Sequence, residues 1–226
     1  MNRRYMEVIV LGLISALRPA SSQVAVLALL RAPAAPRTLL VFTAAGFVFS
    51  VLVGLLGVSV LDDADRVFRH STFHAAFNLA AGVAALGFAA GVQRGALDRR
   101  RGRERSNGRR TSAIAARLRH PSAKMAAGAG VVTHVPGLIY LVVLNSIASS
   151  NPGLVEASAQ VALYNLLWFA IPFAALAIAV RSPASARAAL DGATAWAQRN
   201  QEPLLVALFG AFGVYFTAKG VIGLAD

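Results

Sequence analysis

Arg18 and Pro19 stand side by side in "LISALRPASSQVAVLALL", a stretch otherwise composed like a membrane-spanning helix. A central arginine in such a helix costs about 2.5 to 3.5 kcal/mol on insertion scales, so partners must offset it. Ser22 and Gln23 share roughly its helical face, and Ser21 adjoins them. Pro19 lacks an N–H and frees a carbonyl one turn earlier, near Ser15. A guanidinium fork beside hydroxyls and unpaired backbone groups suits an oxyanion such as phosphate, sulfate or carboxylate. The bland alternative is an arginine that snorkels or only clamps the carbonyls of its own kink. Snorkelling is hard from mid-span, because the side chain reaches about four or five residues' worth of helix rise.

A second set of polar residues surrounds another proline. His134 precedes Pro136 in "VTHVPGLIYLVVLNS", with Thr133, Tyr140 and Asn145 on the same span. Asn165, Trp168 and Pro172 of "LYNLLWFAIPF", together with Asn78, could complete a polar cavity, although each reads first as a helix–helix contact or an interface anchor. If the two prolines superpose across a pseudo-twofold axis, His134 approaches the Arg18 patch. No Asp or Glu falls well inside an expected span, Glu7 at an edge being nearest. That argues against a carboxylate-type proton carrier and leaves His134 as the core side chain that titrates near neutral pH.

Enzymatic signatures are absent: there is no Walker glycine run, HExxH, GxSxG or carboxylate pair. The chain contains no cysteine, which excludes disulfides, thiol relays, iron–sulfur clusters and Cys-based zinc sites. His70 and His74 are spaced one helical turn apart at a helix entrance, with Asp65 the nearest carboxylate, too little for a metal site. No catalytic residue, metal or cofactor is expected.

These residues need helices to carry them, and the composition supplies membrane helices. The chain has 226 residues, 57% of them hydrophobic and 14% charged, with a mean hydropathy of +0.60. Six apolar stretches near 6–30, 37–61, 72–93, 124–148, 157–180 and 203–223 approach the ~20 residues that cross a hydrocarbon core. The first follows Asn2-Arg3-Arg4 like a signal peptide but runs on past Pro19, which favours an uncleaved span.

The net charge of +12 is concentrated between Arg94 and Lys124, where eleven Lys/Arg face only Asp98 and Glu104. No aromatic residue interleaves with them, so nucleic acid is not the expected partner. A cytoplasmic loop with affinity for anionic headgroups fits better. The first and fifth loops are also basic and the second, "LDDAD", is acidic, which places both termini outside an inner membrane. The alanine-rich "PASARAALDGATAWAQRN" should lie at the interface, anchored by Trp196.

Each half opens with a proline-interrupted span, aligning Pro19 with Pro136, and continues with two more. The expected fold is therefore all-α: six transmembrane helices in two inverted three-helix repeats with broken first and fourth helices, a plan of many secondary transporters. Residues 1–93 form the first repeat, 94–123 the basic loop and 124–226 the second repeat. Gly46, Ser50 and Gly54 line one face of the second span, and Gly87 and Gly91 form a GxxxG in the third. Both read first as bundle packing and second as a homodimer interface.

The proline of the first span, "RTLLVFTAAGF" at the start of the second, "VPGLIYL" of the fourth and "LYNLLWFAIP" of the fifth carry a resemblance that covers nearly the whole chain. The sequence resembles the GAP family of the lysine exporter (LysE) superfamily, which includes glycopeptidolipid- and sulfolipid-addressing proteins of mycobacteria. The resemblance implies an actinobacterial protein with six spans and two repeats that moves envelope glycolipids or related small molecules across the inner membrane. Pro19, Pro136 and the neighbourhoods of Tyr140 and Pro172 match the family pattern. Arg18 departs from the small polar residue that the resemblance implies before the first proline.

The expected function is a small transporter or export factor for an anionic envelope lipid or solute, with a midplane site. Its binding residues are Arg18, Pro19, Ser21, Ser22, Gln23, His134, Pro136, Tyr140, Asn145, Asn165 and Trp168. The expected partners are membrane lipids, the anionic ligand, a second copy of the chain or lipid-synthesis and export proteins. The rivals are a non-transporting scaffold of a glycolipid synthesis or export machinery, an amino-acid or small-cation exporter of the LysE type, and, least favoured, a membrane-embedded transferase.

Overall fold

A computed structural model describes residues 3–17, 21–32, 34–67, 71–95, 122–150 and 152–225. Among the described residues there are ten α-helices and no strand. They are α1 (Arg3–Leu17), α2 (Ser21–Leu30), α3 (Ala35–Val67), α4 (Ser71–Gln93), α5 (Ala123–Thr133), α6 (Leu138–Ala148), α7 (Leu154–Trp168), α8 (Ala170–Arg181), α9 (Pro183–Arg199) and α10 (Gln201–Ala225). Arg18, Pro19, His70 and the basic stretch 96–121 lie outside the described residues, as does the side chain of Ser21.

Among the described residues, three helices are long and apolar enough to cross a membrane: Ala35–Leu61 of α3, Thr72–Gln93 of α4, and α10. At about 1.5 Å per residue each exceeds the ~30 Å of a hydrocarbon core. Two further candidates are bent pairs, α5 with α6 at 67° and α7 with α8 at 59°. The first bend has the expected cause. Pro136 has no N–H to give to the helix, and α5 ends at His134, whose own N–H turns back to the Val131 carbonyl. The helix restarts after Gly137, which offers no side-chain cap.

The second bend corrects the expectation of an unbroken fifth span. Pro172 cannot donate to the Trp168 carbonyl one turn earlier, and the chain turns at Phe169 between α7 and α8.

Glycine sets how closely the helices approach. A Cβ on Gly130 of α5 would stand 2.2 Å from the Phe42 carbonyl oxygen of α3, and one on Gly46 would stand 2.9 Å from the Gly130 carbonyl oxygen. A Cβ on Gly54 would meet the Tyr140 hydroxyl at 2.3 Å. The small-residue face of the second span is thus spent on packing within the chain. The bundle-packing reading of the GxxxG fails for Gly87, which has no neighbour within 4 Å of its missing Cβ; Gly82, Gly213 and Gly220 make the α4–α10 contact instead.

α1 packs along α7 and α6, α3 along α5 and α6, and α4 antiparallel along α10, while α2 touches α5, α8 and α9. The buried side chains form two clusters. One gathers Val8, Leu11, Val58, Tyr140, Leu144, Val161, Tyr164 and Phe216; the other gathers Val26, Leu29, Leu39, Phe42, Ala179, Ala186 and Leu190. α9 turns Ala186 and Leu190 into the second cluster and leaves Trp196 half exposed. Arg31 and Asp191 meet at 3.7 Å across this end of the bundle.

Candidate functional site

The backbone breaks lie together, and aromatic rings join them. His134, at the end of α5, stacks on Phe169, the residue between α7 and α8, with ring centroids 4.0 Å apart. Trp168 and Phe42 meet the same imidazole edge-on at 5.3 and 5.7 Å. Its Nδ1 lies 2.8 Å from the Gly130 carbonyl oxygen and 3.1 Å from the Thr133 hydroxyl. With Nδ1–H donated to that carbonyl, Nε2 is the acceptor nitrogen of the neutral ring.

A cleft opens beside Trp168. Ser15, Ala16, Ser22, Gln23 and Val26 line it from either side of residues 18–20, and Trp168, Ile171 and Pro172 line it from the second bend. It brings together residues packed with each of the two apolar clusters. Its cavity volume is ≈ 10 Å³, room for about one water. Ser22, Gln23 and Trp168 therefore line one cleft, and the ring contact of Trp168 connects it to His134.

Next to the cleft runs a buried hydrogen-bond network. Ser15 Oγ and the Tyr164 hydroxyl are 2.7 Å apart. The Tyr140 hydroxyl donates to the Ser50 carbonyl at 2.6 Å and accepts from Asn165 Nδ2 at 3.2 Å. Ser50 Oγ donates to Asn165 Oδ1 at 2.5 Å, and Asn165 Nδ2 also reaches the Val161 carbonyl at 2.8 Å. Tyr140, Tyr164 and Trp168 have mutual ring distances of 5.1 to 5.9 Å. Tyr140 and Asn165 thus brace the wall on which Trp168 rests. Ser15, Tyr164 and Phe169 belong with these groups, and the sequence reading did not assign them a role.

Asn145 lies apart from the cleft's lining residues. Its Oδ1 is 2.5 Å from His74 Nδ1, and its Nδ2 donates to Asn78 Oδ1 at 3.1 Å. His74, expected at a helix entrance, is buried in this cluster at 5% exposure, so His134 is not the sole imidazole of the core. Among the described residues no group of three or more His, Asp or Glu could hold a metal ion.

One charged pair escaped the sequence reading. Lys219 Nζ of α10 lies 2.9 and 3.1 Å from the two carboxylate oxygens of Glu7 on α1. The hydroxyls of Ser146 on α6 and Tyr215 on α10 also donate to that carboxylate.

The sequence profile of the Sap, sulfolipid-1-addressing protein family matches residues 8–222 of this chain. No curated protein and no solved structure matches it.

Proposed function

Since the chain belongs to the sulfolipid-1-addressing protein family, we propose that it is a small inner-membrane transporter or export factor for an anionic envelope lipid. One observation carries this reading. Ser15 and Ser22, on either side of residues 18–20, share a cleft with Trp168, while the residues at the two described breaks, His134 and Phe169, stack on each other beside it. Helix breaks inside a membrane leave polar backbone groups that are tolerated where they line a cavity or meet a ligand.

In this reading Arg18 pairs with the anion, Ser21, Ser22 and Gln23 orient it, and His134 senses or relays a proton. Pro19 and Pro136 hold the breaks open. Tyr140, Asn165 and Trp168 keep the wall in place, while Asn145 acts from the neighbouring cluster. With room for about one water, the cleft is in a closed state and must widen to admit a headgroup.

The repeat reading draws support from the packing. Exchanging α1, α2, α3 and α4 for α5, α6, α7–α8 and α10 converts the α1–α7 contact into α5–α3 and α1–α6 into α5–α2. The α4–α10 contact maps onto itself, and all of these contacts are present. Six spans follow once α1–α2 counts as one broken span. Both termini then lie outside, with loop 94–123 in the cytoplasm.

A scaffold that moves nothing is the second reading, and the narrowness of the cleft favours it. Envelope lipidomics of a deletion strain, complemented with the parent chain, Arg18→Ala or Arg18→Lys, tests the proposal. One anionic lipid should be lost from the outer envelope on deletion, restored by the parent and not by Arg18→Ala. Full restoration by properly inserted Arg18→Ala would refute the anion role.

A further inference from the structure

The Glu7–Lys219 pair joins α1, α6 and α10. Glu7 sits on α1, Ser146 on α6, and Lys219 and Tyr215 on α10. All converge on one carboxylate. The side chain of Glu7 is 14% exposed and that of Lys219 is 32% exposed. The Lys219 side chain is thus partly exposed while its partner is largely covered.

As a stabilising device this arrangement is uneconomical. A partly covered ion pair rarely outperforms apolar residues of similar volume, so the pair is weakly explained by stability alone. The pair is also in line with the cleft. Glu7, Leu11 and Ser15 follow one another at four-residue spacing along α1, so the latch and the Ser15 edge of the cleft are about 12 Å apart along one helix face. Leu11, buried in the first apolar cluster at 3% exposure, stands between them on that face.

We infer that Lys219 is a second anion station, at the end of the bundle that carries the termini, for a sulfate- or phosphate-monoester headgroup, and that Glu7 is the resident counter-ion this headgroup displaces. The inference rests on the reading of the chain as an anionic-lipid transporter. A headgroup leaving the cleft exchanges with the Glu7 carboxylate on Lys219, which releases α1 from α6 and α10 and lets Leu11 swing aside. The ammonium group then stays paired throughout, so opening does not strand a charge in a poorly solvated place.

The chain has no cysteine, so single-cysteine reporters can be placed without background. The full chain carrying Leu11→Cys is reconstituted in phosphatidylcholine liposomes and labelled with a water-soluble maleimide. Ala16→Cys, which lies in the cleft lining, reports on the central site. Sulfated galactosylceramide, uncharged galactosylceramide and inorganic sulfate are the probes. Labelling at position 11 should be slow in the parent and about tenfold faster with Glu7→Gln, which removes one partner of the pair. The sulfated lipid should accelerate the parent and the uncharged lipid should not; equal acceleration by inorganic sulfate would support the station with a free anion as its source.

Glu7→Gln with Lys219→Gln separates a station from a strut, because it removes the ammonium group and leaves amides that can still bond each other and the Ser146 and Tyr215 hydroxyls. It should abolish the acceleration by sulfated lipid. Labelling with Glu7→Gln as slow as the parent, or a Glu7→Gln/Lys219→Gln chain that the lipid still accelerates, overturns the inference. Sulfated lipid that protects Ala16→Cys but leaves Leu11→Cys unchanged overturns the station and spares the central site. No effect at either position overturns both.

Discussion

Tyr140, Asn165 and Ser50 tie three helices together through hydroxyl and amide groups that have no water to turn to. Tyr140→Phe removes one donor and one acceptor while Asn165 keeps the Val161 carbonyl, so it should cost about 1 kcal/mol of stability. Gly54→Ala should cost about 1 to 3 kcal/mol, because the new methyl would stand 2.3 Å from the Tyr140 hydroxyl and 2.6 Å from Val161 Cγ1. Gly87→Ala, which meets nothing, should be neutral or gain up to about 1 kcal/mol from helix propensity. Thermal unfolding of the purified chain in detergent checks all three, and a Gly87→Ala loss as large as that of Gly54→Ala would contradict the packing. At this scale the sequence exposes anomalies better than partners. Arg18 beside Pro19 is conspicuous in any apolar run, and a mid-span histidine is too. Lys219 draws no notice, because its carboxylate lies 212 residues away and only tertiary contact brings the two together.

Proline shapes two of the elements that meet at the cleft. The apolar helices α3, α4 and α10, the break at Pro136 and the helical character of α9 follow from hydropathy and punctuation, since each is a local property of the chain. The bend at Phe169 is encoded as well, by Pro172, but prolines sit in many transmembrane helices without so large a turn. The stacking of His134 on Phe169 fits the two bends together, which no single segment can reveal. Pro172→Ala restores an N–H to the Trp168 carbonyl and should straighten α7–α8, withdrawing Trp168 from the cleft. The chain has two tryptophans, so a Trp196→Phe background leaves Trp168 as sole reporter. Its emission maximum should shift on Pro172→Ala while membrane insertion persists; an unchanged spectrum would mean that the bend does not depend on the proline. The Arg31–Asp191 contact, with both side chains more than half exposed, should by contrast contribute well under about 1 kcal/mol, and Asp191→Asn should leave the unfolding temperature in place.

At the scale of the whole molecule, the bundle has two unlike ends with the breaks between them. One end carries α9 and the Arg31–Asp191 contact, and the other the Glu7–Lys219 pair. The basic character of the odd loops predicts which end faces the cytoplasm. A cysteine at Ala193 should react with a membrane-impermeant maleimide only in inverted vesicles, and one at Leu224 only in intact cells. The opposite pattern would reverse the proposed orientation and, with it, the direction of transport. The central claim is that the chain itself moves an anionic lipid through the cleft beside Trp168. Its most direct test is the transbilayer movement of a fluorescent sulfated glycolipid in liposomes that contain only the purified chain. The account predicts movement above that of protein-free liposomes, sharply reduced by Arg18→Ala and by Gln23→Ala. No movement above protein-free liposomes, or equal movement by the parent and both variants, would contradict it.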